Sequence, residues 1–202
     1  MKKYTWIILT IALVVLIAGA TVLYNNLGST YETEQLATQA PPVTTPTEMA
    51  QPTESLPAEE TEPVDLAPDF KVVDTDGNEV KLSDFFGKPI VLNFWASWCG
   101  PCKSEMPDFN ETYLEMGEEI QFLMVNMTDG YQETLENAKA FVADSGYSFP
   151  VYYDVNQDAA YTYRVSSIPT TYFINASGTV VAYGRGALDA ATLMKGIGMI
   201  TE

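Results

Sequence analysis

The chain of 202 residues has no histidine, and its only cysteines are Cys99 and Cys102. A closed zinc site needs four thiolate or imidazole ligands, so these two cysteines cannot build one and metal binding is excluded. Cations are scarce as well, with 10 Lys and Arg against 27 Asp and Glu and a formal charge of −17. That balance argues against nucleic acid or an anionic lipid surface as a partner and otherwise serves solubility. From Asn25 to Asp65 there is no lysine or arginine and almost no aromatic residue, only a mixture rich in Thr, Pro, Glu, Gln and Ala. Such a segment cannot bury enough apolar surface to offset its ordering entropy, so residues 25–65 read as a disordered acidic spacer. Internal repeats are absent.

Ahead of the spacer, Met1-Lys2-Lys3 leads into an uncharged stretch that is strongly apolar from Trp6 to Leu23. About 20 such residues, rising ~1.5 Å each, cross a hydrocarbon core. Residues 1–24 are therefore expected to be a transmembrane anchor, with the two lysines keeping the N-terminus cytoplasmic and the rest of the chain outside. Ala18-Gly19-Ala20 also fits a signal-peptidase site; an uncleaved anchor is favoured because apolar character continues through Leu23. Residues 66–202 remain to build a core, which suits one domain.

The motif that carries chemistry is Cys99-Gly100-Pro101-Cys102, preceded by the apolar run Ile90–Trp95. A buried strand, a short turn and an opening helix place the first thiol among unpaired backbone N–H groups at the positive end of the helix dipole. That field stabilises thiolate and makes Cys99 the candidate nucleophile, with Cys102 one turn on as the resolving thiol. Pro101 falls early enough in the helix that its missing N–H costs little. As a structural staple the pair would close too short a loop to remove much unfolded-state entropy, so a redox-active disulfide is the better reading.

Trp98-Cys99-Gly100-Pro101-Cys102 resembles the thioredoxin motif. Ala67-Pro68-Asp69-Phe70, Gly87-Lys88-Pro89, Asn93-Phe94-Trp95-Ala96, Glu105-Met106-Pro107 and Ile168-Pro169-Thr170-Thr171 resemble, in the same order, the membrane-anchored TlpA/ResA-like branch of that superfamily. The resemblance runs from about Leu66 to the C-terminus. It implies a cis Ile168–Pro169 bond facing the cysteines, with the Ile168 backbone offering an edge to substrate and Trp98, Gly100 and Pro101 lining the same groove. It also implies that Pro107 kinks the first helix. Asn93 is a departure, because thioredoxins carry a buried aspartate there that aids proton transfer to the resolving cysteine. Glu105, three residues after Cys102 and on its helical face, stands where ResA-like proteins have a glutamate and is the candidate base. The resemblance further implies protein disulfides as substrates (apocytochrome c, an exported methionine sulfoxide reductase or another secreted thiol protein) and a CcdA/DsbD-type membrane thiol carrier as electron donor. No cofactor is implied, and a monomer is expected.

The remaining elements follow from residue patterns. Phe70–Val73 and Glu79–Leu82 form a hairpin across Asp76-Gly77, and Ser83–Phe86 a helical turn ended by Gly87. A helix runs from Cys99 towards Met116, and Ile120–Asn126 is a second buried strand. Tyr131–Ser145 has helical spacing with Gly146 as its C-cap. Pro150–Val155 reads as a strand and Asp158–Tyr163 as a short helix. Thr170–Asn175 and Thr179–Tyr183 form a terminal hairpin, and a helix over Asp189–Gly198 has Asp189 as N-cap. The class is α/β: a thioredoxin-like mixed sheet flanked by helices, with an N-terminal β-hairpin and a helical insertion. The reading is a tethered extracytoplasmic thiol–disulfide oxidoreductase of the reducing kind. A DsbA-like oxidant, a peroxidase of the AhpC/TSA type and a redox-inert binding domain are the alternatives. The peroxidase would need Pro-x-x-x-Thr/Ser-x-x-Cys, which this sequence does not contain.

Overall fold

A computed structural model of the chain describes residues 36–37 and 66–201. The anchor expected over residues 1–24, and all of the expected spacer except Leu36–Ala37, lie outside the described residues. Among those described, no helix is long and apolar enough to cross a membrane.

The strands are Leu36–Ala37 (β1), Lys71–Val73 (β2), Glu79–Lys81 (β3), Ile90–Trp95 (β4), Gln121–Asn126 (β5), Val151–Tyr153 (β6), Thr170–Ile174 (β7) and Val180–Arg185 (β8). The α-helices are Gly100–Met116 (α1), Leu135–Ser145 (α2), Asp158–Thr162 (α3) and Ala190–Thr201 (α4), with a 3-10 turn at Leu82–Phe85. One sheet runs in the order β1-β8-β7-β4-β5-β6-β2-β3. β4 is parallel to β5 and β5 to β6, whereas β7 is antiparallel to β4, and β8 to β7. The sheet is therefore mixed, in agreement with the sequence pattern. The hairpin β2–β3 does not stand apart, because Val73 pairs with Tyr153 and extends the sheet beyond β6.

All six residues of β4 are buried, as expected of a strand covered on both faces. Their alternation feeds two cores. Val91 and Trp95 join Met106, Phe109, Phe122, Phe173, Leu193 and Ile197 on the side of α1 and α4. Ile90, Leu92 and Phe94 join Phe70, Leu82, Leu123, Tyr163 and Tyr172 on the other. Asn93 falls between Val91 and Trp95 in this period of two, so its amide is delivered into the α1 side. Cys99 caps α1 with extended backbone (φ −78°, ψ 111°), and Pro107 lies inside that helix, freeing the carbonyl four residues before it.

Three local expectations are revised. Residues 131–133 are not helical: Asp129 Oδ1 accepts from the backbone N–H groups of Tyr131, Gln132 and Glu133 at 2.8, 2.8 and 2.9 Å. Those donors are consumed in a turn, and α2 starts after Thr134, whose hydroxyl accepts from Asn137 N at 3.1 Å. The last helix runs past Gly198 to Thr201, with Asp189 Oδ1 accepting from Thr192 N at 2.8 Å at its start. Leu36–Ala37, inside the stretch read as a structureless spacer, pairs antiparallel with Gly184 and Tyr183 of β8. Leu36 is buried there in the α1-side core. An isolated Leu beside an open sheet edge gains backbone bonds and apolar burial that composition averaging over the segment hides.

Helix α4 approaches β7 through Gly196, where an added Cβ would overlap the ring of Phe173. Gly196→Ala is expected to destabilise the domain by about 1–3 kcal/mol, since an overpacked core must shift. Chemical denaturation of the wild type and variant measures it, and an unchanged midpoint would contradict this packing.

Candidate active site

The end of β4 and the start of α1 bring Cys99 and Cys102 together as a disulfide with a Cα–Cα distance of 5.3 Å. The two cysteines differ in access. Cys99, 4% exposed, lines a surface groove of about 480 Å³, while Cys102 is fully buried behind it. The backbone N–H of Cys102 donates to Cys99 Sγ at 3.1 Å. This is the N-cap geometry in which a thiolate at Cys99 would be held by a first-turn donor and by the helix dipole.

Across the groove the Ile168–Pro169 peptide is cis, and the Ile168 carbonyl oxygen lies 3.8 Å from Cys99 Sγ. Trp98, Gly100, Pro101 and Ile168 all line the groove. Trp98 is about half exposed at its rim, whereas Trp95 is wholly core. Pro169 is not among the lining residues; its carbonyl accepts from Gly186 N at 2.9 Å, tying the start of β7 to the end of β8. Met127, Asp129, Gln157 and Val165 also face the groove. Sequence reasoning did not single these out, because they come from three separate connections that only the fold gathers.

Glu105 is 2% exposed. Its Oε1 accepts from Asn93 Nδ2 at 2.8 Å and its Oε2 from Leu188 N at 2.8 Å. Asn93 Nδ2 also donates to Thr171 Oγ1 at 3.0 Å, and Asn93 faces Thr171 in the β4–β7 register. One carboxylate thereby links α1, β4 and the loop before α4, and through Asn93 it reaches β7. Both of its partners are neutral donors. Loss of hydration outweighs them, and burial pushes the Glu105 carboxyl up to about 7. Near neutral pH it is therefore divided between acid and base, one helical turn from Cys102. The Asn93 and Leu188 contacts explain how a glutamate in mid-helix is buried. Neither was legible in sequence, Leu188 being 83 residues away.

Folded Glu105 binds its proton more tightly than the unfolded group, whose value is 4.5. Its contribution is complete below about pH 4.5 and lost as the pH rises through about 7. Over that window it amounts to about 3 kcal/mol. Urea unfolding between pH 4.5 and 8 should show this decline in wild-type protein and a flatter profile in Glu105→Gln. Parallel profiles would mean that the carboxyl is not perturbed.

With this geometry in view, the relatives are informative. The AhpC/TSA family model matches residues 63–183. The thiol-disulfide oxidoreductase ResA of Oceanobacillus iheyensis is 37% identical over 128 residues, a match covering 61% of this chain and 65% of that protein. The chain thus spans just under two thirds of that relative's length. The ResA of Bacillus subtilis (strain 168) is 34% identical over 128 residues, covering 63% of this chain and 69% of that one. Among solved structures, the exposed lipoprotein thioredoxin Etrx1 of Streptococcus pneumoniae strain TIGR4 is 32% identical with a TM-score of 0.54, covering 63% of this chain and 96% of that one. The resemblance noted in the sequence and the thioredoxin-like fold agree with these neighbours. Since the family model takes in more than half of the 202 residues, the chain belongs to the AhpC/TSA family.

Proposed function

We propose that this protein is a thiol–disulfide oxidoreductase that reduces disulfides of exported proteins. The observation that carries the reading is the Cys99–Cys102 disulfide capping α1, with its first sulfur facing an open groove beside Ile168 and its second buried above a perturbed carboxyl. In the reduced protein, Cys99 thiolate attacks one sulfur of a substrate disulfide. That S–S bond breaks, the departing sulfur leaves as a thiolate that takes up a proton, and a mixed disulfide forms at Cys99. Glu105 then accepts the proton of Cys102, and the resulting thiolate attacks Cys99 Sγ. The mixed disulfide breaks, the second substrate thiol is released, and the Cys99–Cys102 disulfide remains. The substrate gains two electrons from the protein and two protons, one from Cys102 by way of Glu105 and one from water.

The groove supports a protein substrate, since it offers the backbone carbonyl of Ile168 beside the reactive sulfur and apolar walls at Trp98, Met127 and Val165. The Gly-Pro dipeptide supports the reducing direction, and the names of the ResA relatives support the reaction class. For the peroxidase alternative, the proline and hydroxyl positions seven and three residues before Cys99 hold Leu92 and Ala96, which offer no donor to a peroxide. The apolar run behind Lys2 and Lys3 supports placement on the outer face of a cell membrane with a cytoplasmic N-terminus. Electrons would then enter from a CcdA/DsbD-type membrane thiol carrier, and apocytochrome c or an exported methionine sulfoxide reductase are the clients the resemblance favours.

Insulin reduction with dithiothreitol as the electron source tests the reaction. Wild-type protein should accelerate it, Cys99→Ser should fall to the uncatalysed rate, and Cys102→Ser should accumulate a mixed disulfide through Cys99. A fully active Cys99→Ser variant, or trapping through Cys102 in its place, would overturn the assignment.

A further inference from the structure

A second buried carboxylate stands behind the active-site turn. Glu133 is 1% exposed, and its Oε2 accepts from both the backbone N and the Oγ of Ser97, each at 2.9 Å. Ser97 lies two residues before Cys99, in a turn closed by Cys99 N donating to the Ala96 carbonyl at 3.2 Å. The loop that supplies Glu133 is fixed in turn, by the three donors to Asp129 Oδ1 and by Gly130 N donating to the Glu133 carbonyl at 3.0 Å. Oε2 serves two donors, and among the described residues Oε1 is buried without a hydrogen-bond partner. Among the described residues that line the groove, Asp129 is the only charged one, and the walls from Gln157, Ser166, Ser167 and Ile168 are neutral. α1 contributes the buried acidic Glu105 and the exposed Lys103, whose backbone N donates to the Cys99 carbonyl at 3.1 Å.

We propose that Glu133 is a positioning residue whose bonds to Ser97 set the turn presenting Trp98 and Cys99, and whose fixed negative charge opposes a thiolate at Cys99. Opposing the thiolate disfavours the dithiol relative to the disulfide, which biases the pair towards giving up electrons. The inference rests on the thiol–disulfide reading and adds to it a residue that sets its direction. The helix N-terminus and the Cys102 N–H pull Cys99 towards thiolate, and Glu133 pulls against them. The balance is then set by a loop 34 residues downstream of the first cysteine.

The test is made on the full chain in two measurements. The first is the pH dependence of Cys99 alkylation by iodoacetamide in reduced protein. The second is the equilibrium at pH 8 of protein disulfide plus two glutathione with protein dithiol plus glutathione disulfide. Glu133→Gln keeps an acceptor oxygen for Ser97 while removing the charge. It should lower the midpoint of the Cys99 alkylation profile by about half to one pH unit and move the equilibrium roughly three- to tenfold towards dithiol. An unchanged midpoint and equilibrium, or shifts of opposite sign, would overturn the proposal and leave Glu133 as a loop fastener. Should Glu133→Gln not fold, Ser97→Ala gives the complementary arm. Losing one donor leaves more of the Glu133 charge uncompensated, so the midpoint should rise and the equilibrium move about twofold towards disulfide. No change, or a fall, overturns the proposal there. Because alkylation reads Cys99 itself, a protein that failed to reduce insulin would still report the effect of Glu133.

Discussion

The interaction on which the site depends is the hydrogen bond from Asn93 to Glu105, made in the interior between β4 and α1. A buried carboxylate is costly unless it is neutralised or well bonded. Here it receives one amide N–H and one backbone N–H and, among the described residues, no cation. Two neutral donors suffice to hold the group in place but not to keep it fully ionised, which is why its proton affinity rises to about 7 rather than falling. An aspartate at 93 would have set two acids against each other. The asparagine turns that position into a donor to the helix carboxylate.

The same strand determines how the sulfur atoms are presented. β4 is covered on both faces, so its C-terminal end is held by both cores, and the first thiol emerges where the strand stops and α1 begins. Parallel pairing with β5 puts the following loops on the same edge of the sheet. Antiparallel pairing with β7 puts the cis Ile168–Pro169 bond opposite them. The groove is therefore a consequence of strand order.

Local chemistry was legible in the sequence and remote pairing was not. The strand Ile90–Trp95, the helix opening at the cysteine motif, the C-cap at Gly146 and the hairpins each depend on residues within one turn or one strand of each other, and the pattern alone located them. The start of α2 was misplaced because Asp129 takes three N–H groups that helical periodicity assigns to the helix. Glu105 was legible as a candidate through its place on the face of Cys102. Its burial was not, because that depends on Asn93 and Leu188, which only the packing of sheet and helices brings to it. Glu133 gave no signal at all: one acid among 27, in a loop, is invisible until Ser97 is found against it.

In the proposed reaction Glu105 supplies the proton exchange that Cys102 needs when it resolves the mixed disulfide. Single-turnover stopped-flow reduction of a disulfide substrate, followed from pH 5 to 9 in wild-type protein and Glu105→Gln, separates attack by Cys99 from release. In Glu105→Gln the attack phase should be unaltered and the release phase slowed by up to about a hundredfold near neutral pH, with the limb of the release profile near pH 7 removed. Release of the same rate and pH profile in both proteins would contradict it.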